Sequence, residues 1–190
     1  IGMGGSILGA KAIYNFLKRV KPKTITDLGC NTGIYSSLGN HFGSKCIGID
    51  IHDDILDEAN NIAIERKLNA SFLKFDLLNP PAAGGINDAY GTSSERLKSE
   101  CVLAPALYHH MFRASEDMHK VIDTICSYSK KYAMIEFIPS TDKYISSWSQ
   151  LSKWNTKEEV IERIKHNGFT NVSVEESYPA PRIWIIAHRN

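Results

Sequence analysis

No charge imbalance, no long apolar run and no paired cysteines mark this chain, and each absence removes a class of function. Twenty-two basic residues against 21 acidic ones leave a formal net charge of +1. Nothing electrostatic therefore favours bulk nucleic acid or an anionic membrane as the principal partner. No apolar stretch nears the roughly 18–20 residues that a membrane-spanning helix needs, and no signal peptide is recognisable. The four cysteines, Cys30, Cys46, Cys101 and Cys126, are scattered, with no C-x-x-C pair and no histidine at ligand spacing. They read as free thiols of a reducing compartment rather than as disulfides or a metal site, so a cytoplasmic protein is expected. Internal repeats and low-complexity tracts are also lacking.

What is present is the composition of an ordinary globular domain. Over 190 residues, 43% are hydrophobic and 23% charged. One domain of this size buries roughly two-thirds of the surface its unfolded chain exposes. Gly2-Met3-Gly4-Gly5-Ser6 reads as a linker or expression remnant, with residues 1–9 set apart from a single domain over 10–190. The start at Ile1 rather than Met leaves room for a preceding segment such as a substrate lid.

Along that domain, β-type and helical patterns alternate. Ala10–Val20 has apolar residues at helical spacing, and Pro22 stops it. Thr24–Leu28 predicts a strand buried on both faces, Ile34–Phe42 a helix with Gly43 after it, and Lys45–Asp50 a second strand. Asp53 or Asp54 is expected to cap a helix running to about Leu68, and Ala70–Phe75 a third strand. The Pro- and Gly-punctuated stretch Asn79–Ser99 reads as a long loop. A strand at Glu100–Ala106, a helix from Glu116 capped by Ser115, and a strand at Tyr132–Ile138 follow. After a second irregular stretch, Ser140–Asn155, Thr156 and Glu159 match a capping box for a helix over Lys157–Asn167. Thr170–Ser177 and Arg182–His188 then form a hairpin. The fold class expected is α/β: a Rossmann-like, doubly wound, mostly parallel sheet of seven strands, with helices on both faces and a C-terminal antiparallel hairpin.

Ligands of such sheets bind beyond the carboxyl ends of the strands, and the residues that could carry chemistry gather there. Asp27, Gly29, Asn31 and Gly33 lie in a strand–turn–helix unit whose glycines let a ligand lie against bare backbone. Cys30 in that turn reads as a small apolar contact. Asp50, about twenty residues on, stands where α/β nucleotide sites place a carboxylate for the ribose hydroxyls, with Ile51 beside it. Asp76 is placed to accept from an adenine amine, with the Leu77 backbone facing the ring. A dinucleotide fingerprint would have glycine where Asn31 stands, and the carboxylate of Asp27 would repel a pyrophosphate. The pattern suits a ligand with a cationic amine and no phosphate.

With Asp27-x-Gly29-x-Asn31-x-Gly33, Asp50 and Asp76 in this order, the chain resembles the class I S-adenosyl-L-methionine-dependent methyltransferases from about Val20 to Arg189. Asn31 departs from the middle glycine of the family pattern, although D-x-G-x-N-x-G is a variant associated with the same family. Ala104-Pro105-Ala106-Leu107-Tyr108-His109-His110 resembles the family motif beside the reactive methyl. Together with Ile135–Asp142 (I-E-F-I-P-S-T-D), it is similar to a bacterial subgroup labelled nodulation-protein-related methyltransferases. The resemblance implies S-adenosyl-L-methionine as cofactor, S-adenosyl-L-homocysteine as product, and in-line transfer to a small-molecule acceptor. It implies backbone contacts at Ala104, and His109 or His110 as a base where the acceptor needs one. Glu136, Tyr144, Trp148 and Trp154 are further candidates for an acceptor pocket. A non-catalytic binding module and a nicotinamide-dependent oxidoreductase are the competing readings.

Overall fold

A computed structural model describes residues 7–85 and 89–190; of the stretch 1–9 set apart as a linker, residues 1–6 lie outside them, and 7–9 belong to the first helix instead. Strands β1 (Thr24–Leu28), β2 (Lys45–Asp50), β3 (Ala70–Lys74), β4 (Ser99–Ala104) and β5 (Ser129–Phe137) run parallel. Strands β6 (Asn171–Glu176) and β7 (Ile183–His188) form the antiparallel hairpin, and β7 pairs with β5. The sheet order is β3-β2-β1-β4-β5-β7-β6. The strand order reverses between β1 and β4, and the carboxyl ends of these two parallel strands lie side by side there. This is the architecture expected from the alternating patterns.

Alternate residues of the central strands feed two separate cores, which is why those strands read as continuous apolar runs. Ile25, Cys101, Leu103 and Met134 pack against Ile13, Phe16 and Leu17 of helix α1 (Ile7–Val20). Val102, Ala104, Ala133 and Ile135 face the other way, toward a larger cluster. Each fully buried aliphatic side chain there stabilises the fold by about 1.5–3 kcal/mol. All four cysteines are free and buried, three of them in these cores and Cys30 in a smaller cluster with Leu56, Ala59, Ala63 and Phe72.

Helix α2 (Ile34–His41) follows β1, with Gly43 beyond its end at φ +90°. Helix α3 (Asp53–Glu65) begins after His52, which has no side-chain capping bond, and not behind an aspartate cap. Asp53 is drawn instead to Lys74. The helix closes on Lys67 in the left-handed region, where Leu68 N–H reaches Ala63 O and Lys67 N–H reaches Ile64 O. That is a Schellman ending built without glycine. Within the stretch expected to be loop, α4 (Ser93–Leu97) carries a full capping box of Thr92 and Glu95.

The largest departure from expectation follows β4. Helix α5 (Tyr108–Ser115) occupies residues for which no element was expected, and Ser115 ends it instead of starting the next helix. The Ser115 hydroxyl donates back to Met111 O, a bond that belongs to a helix end. Glu116 turns left-handed, and Asp117 caps α6 (Met118–Ser127) by accepting from Lys120 N–H. Helix α7 (Lys157–His166) has the Thr156–Glu159 capping box read from the sequence. Among the described residues no helix is long and apolar enough to cross a membrane.

Candidate functional site at the carboxyl edge of the sheet

Only three buried side-chain polar atoms among the described residues lack a hydrogen-bond partner: Asp27 Oδ1, His109 Nδ1 and Trp184 Nε1. A buried unpaired polar atom is costly, so such atoms mark places where a ligand or water is expected. Two of the three stand at the same edge, beside the ends of β1 and β4. They divide the site into two halves.

On the first half, Asp27 is fully buried near the end of β1. Its Oδ2 accepts from the Ser36 hydroxyl at 2.8 Å. Burial pushes its carboxyl up to about 7, against the pull of the Ser36 hydroxyl and N–H, with the charge of Asp50 adding to the rise. The turn that follows is held by backbone. Gly29 and Cys30 both donate to Ile49 O, and Gly33 donates to Cys30 O. Gly29, Asn31 and Gly33 all adopt positive φ, at +65°, +49° and +75°. Asn31 thus takes the left-handed conformation that glycine would supply, which asparagine tolerates better than other side chains. Gly33 is needed twice over, because a Cβ there would stand 2.5 Å from the Phe72 ring. It precedes α2 without any side-chain cap, which leaves the Ile34 and Tyr35 N–H groups available to a ligand, the Ser36 N–H being drawn to Asp27.

Asp50 stitches this turn to β2. Its Oδ2 accepts from Asn31 N–H at 3.0 Å, while Oδ1 accepts from Ile51 N–H at 2.7 Å and lies 3.0 Å from the His52 ring. A carboxylate has about four lone-pair positions, so Oδ2 retains room for another donor. Ile51 is 50% exposed beside it, an apolar surface on the rim. Asp76 is engaged in a local turn, accepting from Leu78 N–H and from the Asn79 amide. Cys30, Leu77 and Ala104 turn their side chains into the cores, so only their backbones can face a ligand. The Cys30 thiol packs with Leu56, Ala59 and Phe72, and burial pushes its pKa up, which keeps it unreactive.

The second half is built from side chains far apart in sequence. His109 is 6% exposed. Burial, then His110 and Arg182, push its imidazole down to about 3, against an opposite pull from Asp142. Its ring lies 4.0 Å from that of His110 and stacks at 5.7 Å on Trp148, whose ring also faces the Arg113 guanidinium. Trp148 is therefore already contacted by both, and Trp154 donates to Ile138 O within the fold. Tyr144, 61% exposed, is the aromatic of this segment that stays open, with the Lys143 and Arg182 cations near its ring.

Beneath them, Glu136 accepts from Ala106 N–H at 2.9 Å and from the Ser177 hydroxyl at 2.6 Å. Burial raises its pKa, while Ser177, Arg182 and the Ala106 N–H hold the rise back. Asp142, fully buried, accepts from Arg182 Nε at 2.8 Å and from Tyr144 N–H. Burial alone would raise its pKa, but the bonds from Arg182 and Tyr144 carry it below the usual carboxylate range. Sequence reasoning missed Tyr35, Ser36, Asp142 and Arg182. The phenol of Tyr35 is pushed up to about 12 by burial and by the charges of Glu136 and Asp27.

No protein-family model matches the chain. Over 137 residues, 70% of its length, the chain is 34% identical to nodulation protein NoeA of Rhizobium meliloti (strain 1021), and the match spans 28% of that relative. Magnesium protoporphyrin IX methyltransferase (ChlM) of Synechocystis PCC 6803, crystallised with bound SAM, superposes with a TM-score of 0.67 at 17% identity. That match covers 95% of this chain and 77% of the other. A putative O-methyltransferase of Nostoc punctiforme PCC 73102 also reaches 0.67, at 14% identity, over 95% and 55% of the two chains. The bifunctional kinase-methyltransferase WbdD gives 0.67 at 14% identity, over 95% and 38%. The chain has the fold of the class I S-adenosylmethionine-dependent methyltransferases, and it is similar in sequence to a nodulation protein of which it spans little more than a quarter.

Proposed function

We propose that this chain binds S-adenosyl-L-methionine and transfers its methyl group to a small-molecule acceptor. The observation that carries this reading is the unpartnered, buried Oδ1 of Asp27 beside a turn with three left-handed residues. A buried carboxylate oxygen without a donor costs stability unless a ligand supplies one. The ammonium of an amino-acid moiety is such a donor, and a diphosphate is not. The neighbour ChlM was crystallised with SAM and also with SAH, which supports the same ligand here.

The residues fit that group. Asp50 Oδ2 has capacity for ribose hydroxyls, Ile51 offers an apolar rim for the base, and the N-terminus of α2 offers free N–H donors. Leu77 and Ala104 would meet the ligand through their backbones. Asp76 would reach an adenine amine only by sharing oxygens already bonded to Leu78 and Asn79. When bound, S-adenosyl-L-methionine would supply a methyl on a cationic sulfonium, whose carbon an acceptor nucleophile would attack in line while the C–S electron pair left with S-adenosyl-L-homocysteine.

The chain's own contribution is alignment, which can lower a barrier by about 7–11 kcal/mol. With its imidazole held near 3, His109 is neutral at working pH. Its free Nδ1 serves to orient an acceptor hydroxyl or amine rather than to hold a proton. His110, whose pKa is lowered by burial and Arg113, is the candidate proton acceptor. The test is transfer of labelled methyl from S-adenosyl-L-methionine into a metabolite extract. Label should appear in a small-molecule fraction with the wild-type chain and be lost with Asp50→Ala. Bound cofactor with no transfer into any fraction would favour a non-catalytic module.

A further inference from the structure

We infer that Glu136 is a positioning residue for the donor cradle, acting through Ala106 and Leu107; the inference rests on the donor reading above. Glu136 lies in β5, away from the glycine turn, yet its carboxylate is 5% exposed and both oxygens are committed. Oε2 takes the Ala106 N–H and Oε1 the Ser177 hydroxyl. Ala106 has φ +47°, a conformation that side chains other than glycine, asparagine and aspartate avoid. It lies past Ala104, where β4 ends, so no ladder bond fixes it. The bond to Glu136 does.

The left-handed turn at Ala106 delivers Leu107 onto the glycine turn. Leu107 Cδ1 stands 3.0 Å from where a Cβ on Gly29 would be. The height of Leu107 above Gly29 therefore sets the roof of the cradle, and Glu136 sets Leu107. Its other arm, Ser177, ends the β6 side of the hairpin, where Ser177 N–H bonds Arg182 O and Arg182 pairs with Asp142. One carboxylate thus ties the donor side to the hairpin on the acceptor side.

The experiment is calorimetric titration of S-adenosyl-L-homocysteine into the wild-type chain and four variants, each checked by circular dichroism. Glu136→Ala and Leu107→Ala should each weaken binding about fivefold or more, the equivalent of one net hydrogen bond. Glu136→Gln should stay within about twofold, because its carbonyl can accept from Ala106 and its amide donate to Ser177. Ser177→Ala should weaken binding less than Leu107→Ala, because the Ala106 bond to the other carboxylate oxygen remains. Equal losses in Ser177→Ala and Leu107→Ala would mean a general brace and overturn the inference. So would wild-type affinity in Glu136→Ala, or in Leu107→Ala should Glu136→Ala fail to fold. A wild-type chain that binds none of this ligand would overturn the donor reading, and the role of Glu136 would fall with it.

Discussion

The two halves of the site are made in different ways. The donor half is local: Ser36 reaches Asp27 across nine positions, Asp50 reaches Asn31 across 19, and the rest is backbone and positive φ. The acceptor half is assembled over distance: Glu136 to Ala106 spans 30 positions, Glu136 to Ser177 41, and Arg182 to Asp142 40. A local device is robust and can be written as a short motif. A distant one depends on the whole sheet being in place and is free to change with the acceptor.

Substitutions in the donor half should cost most. Gly33→Val meets both a left-handed backbone and the Phe72 ring, and should lose about 2–5 kcal/mol of stability along with ligand binding. Urea titration reads the first and calorimetry the second. Gly29→Val should abolish binding with a smaller loss of stability, because the Leu107 side chain it meets can move.

Asp27→Asn separates binding from folding. The free chain carries a carboxyl whose pKa is about 7 when folded and 3.8 otherwise. The folded state therefore holds the proton longer, and stability should fall as pH rises between those values. Asp27→Asn should flatten that fall and leave the free chain more stable at about pH 8 than wild type. It should also weaken S-adenosyl-L-homocysteine binding about tenfold by removing a charge-assisted bond. A variant with unchanged affinity would break the link between the orphan oxygen and the ligand.

On the acceptor side the pH effect runs the other way. In acid the unfolded chain takes up a proton on His109 from about 6.5 downward, whereas burial holds the folded imidazole near 3. Stability should drop as pH falls from about 6.5 toward that value, and His109→Asn should lessen the drop without changing donor affinity. Smallest of all, Thr156→Ala removes one capping box far from the turn. It should cost about 1 kcal/mol in thermal melts and leave binding untouched. Weakened donor binding in either variant would blur the boundary between the halves.

The same contrast explains what could be read in advance. Strands β1 and β2 were legible to the residue, because β-branched runs ended in Asp27–Gly29 and Asp50. Asp50 and the glycine turn were legible as partners because their spacing is short. Helix α5 carried a usable signal in Tyr108, Met111 and Phe112 at helical spacing, as did α4 in Thr92 and Glu95, and both were overlooked. Glu136 could be singled out as a costly buried acid. Nothing in the sequence pointed to Ala106 or Ser177 as its partners, because only the sheet order brings them together. Arg182 and Asp142 were illegible for the same reason.

The most direct measurement is titration of S-adenosyl-L-homocysteine into the wild-type chain at about pH 8 and about pH 6, in buffers of different ionisation enthalpy. If Asp27 receives the ligand's ammonium, one saturable site appears, tighter at the higher pH, with a proton released on binding at the lower. Silence toward this ligand, together with saturable binding of a nicotinamide dinucleotide, would contradict it.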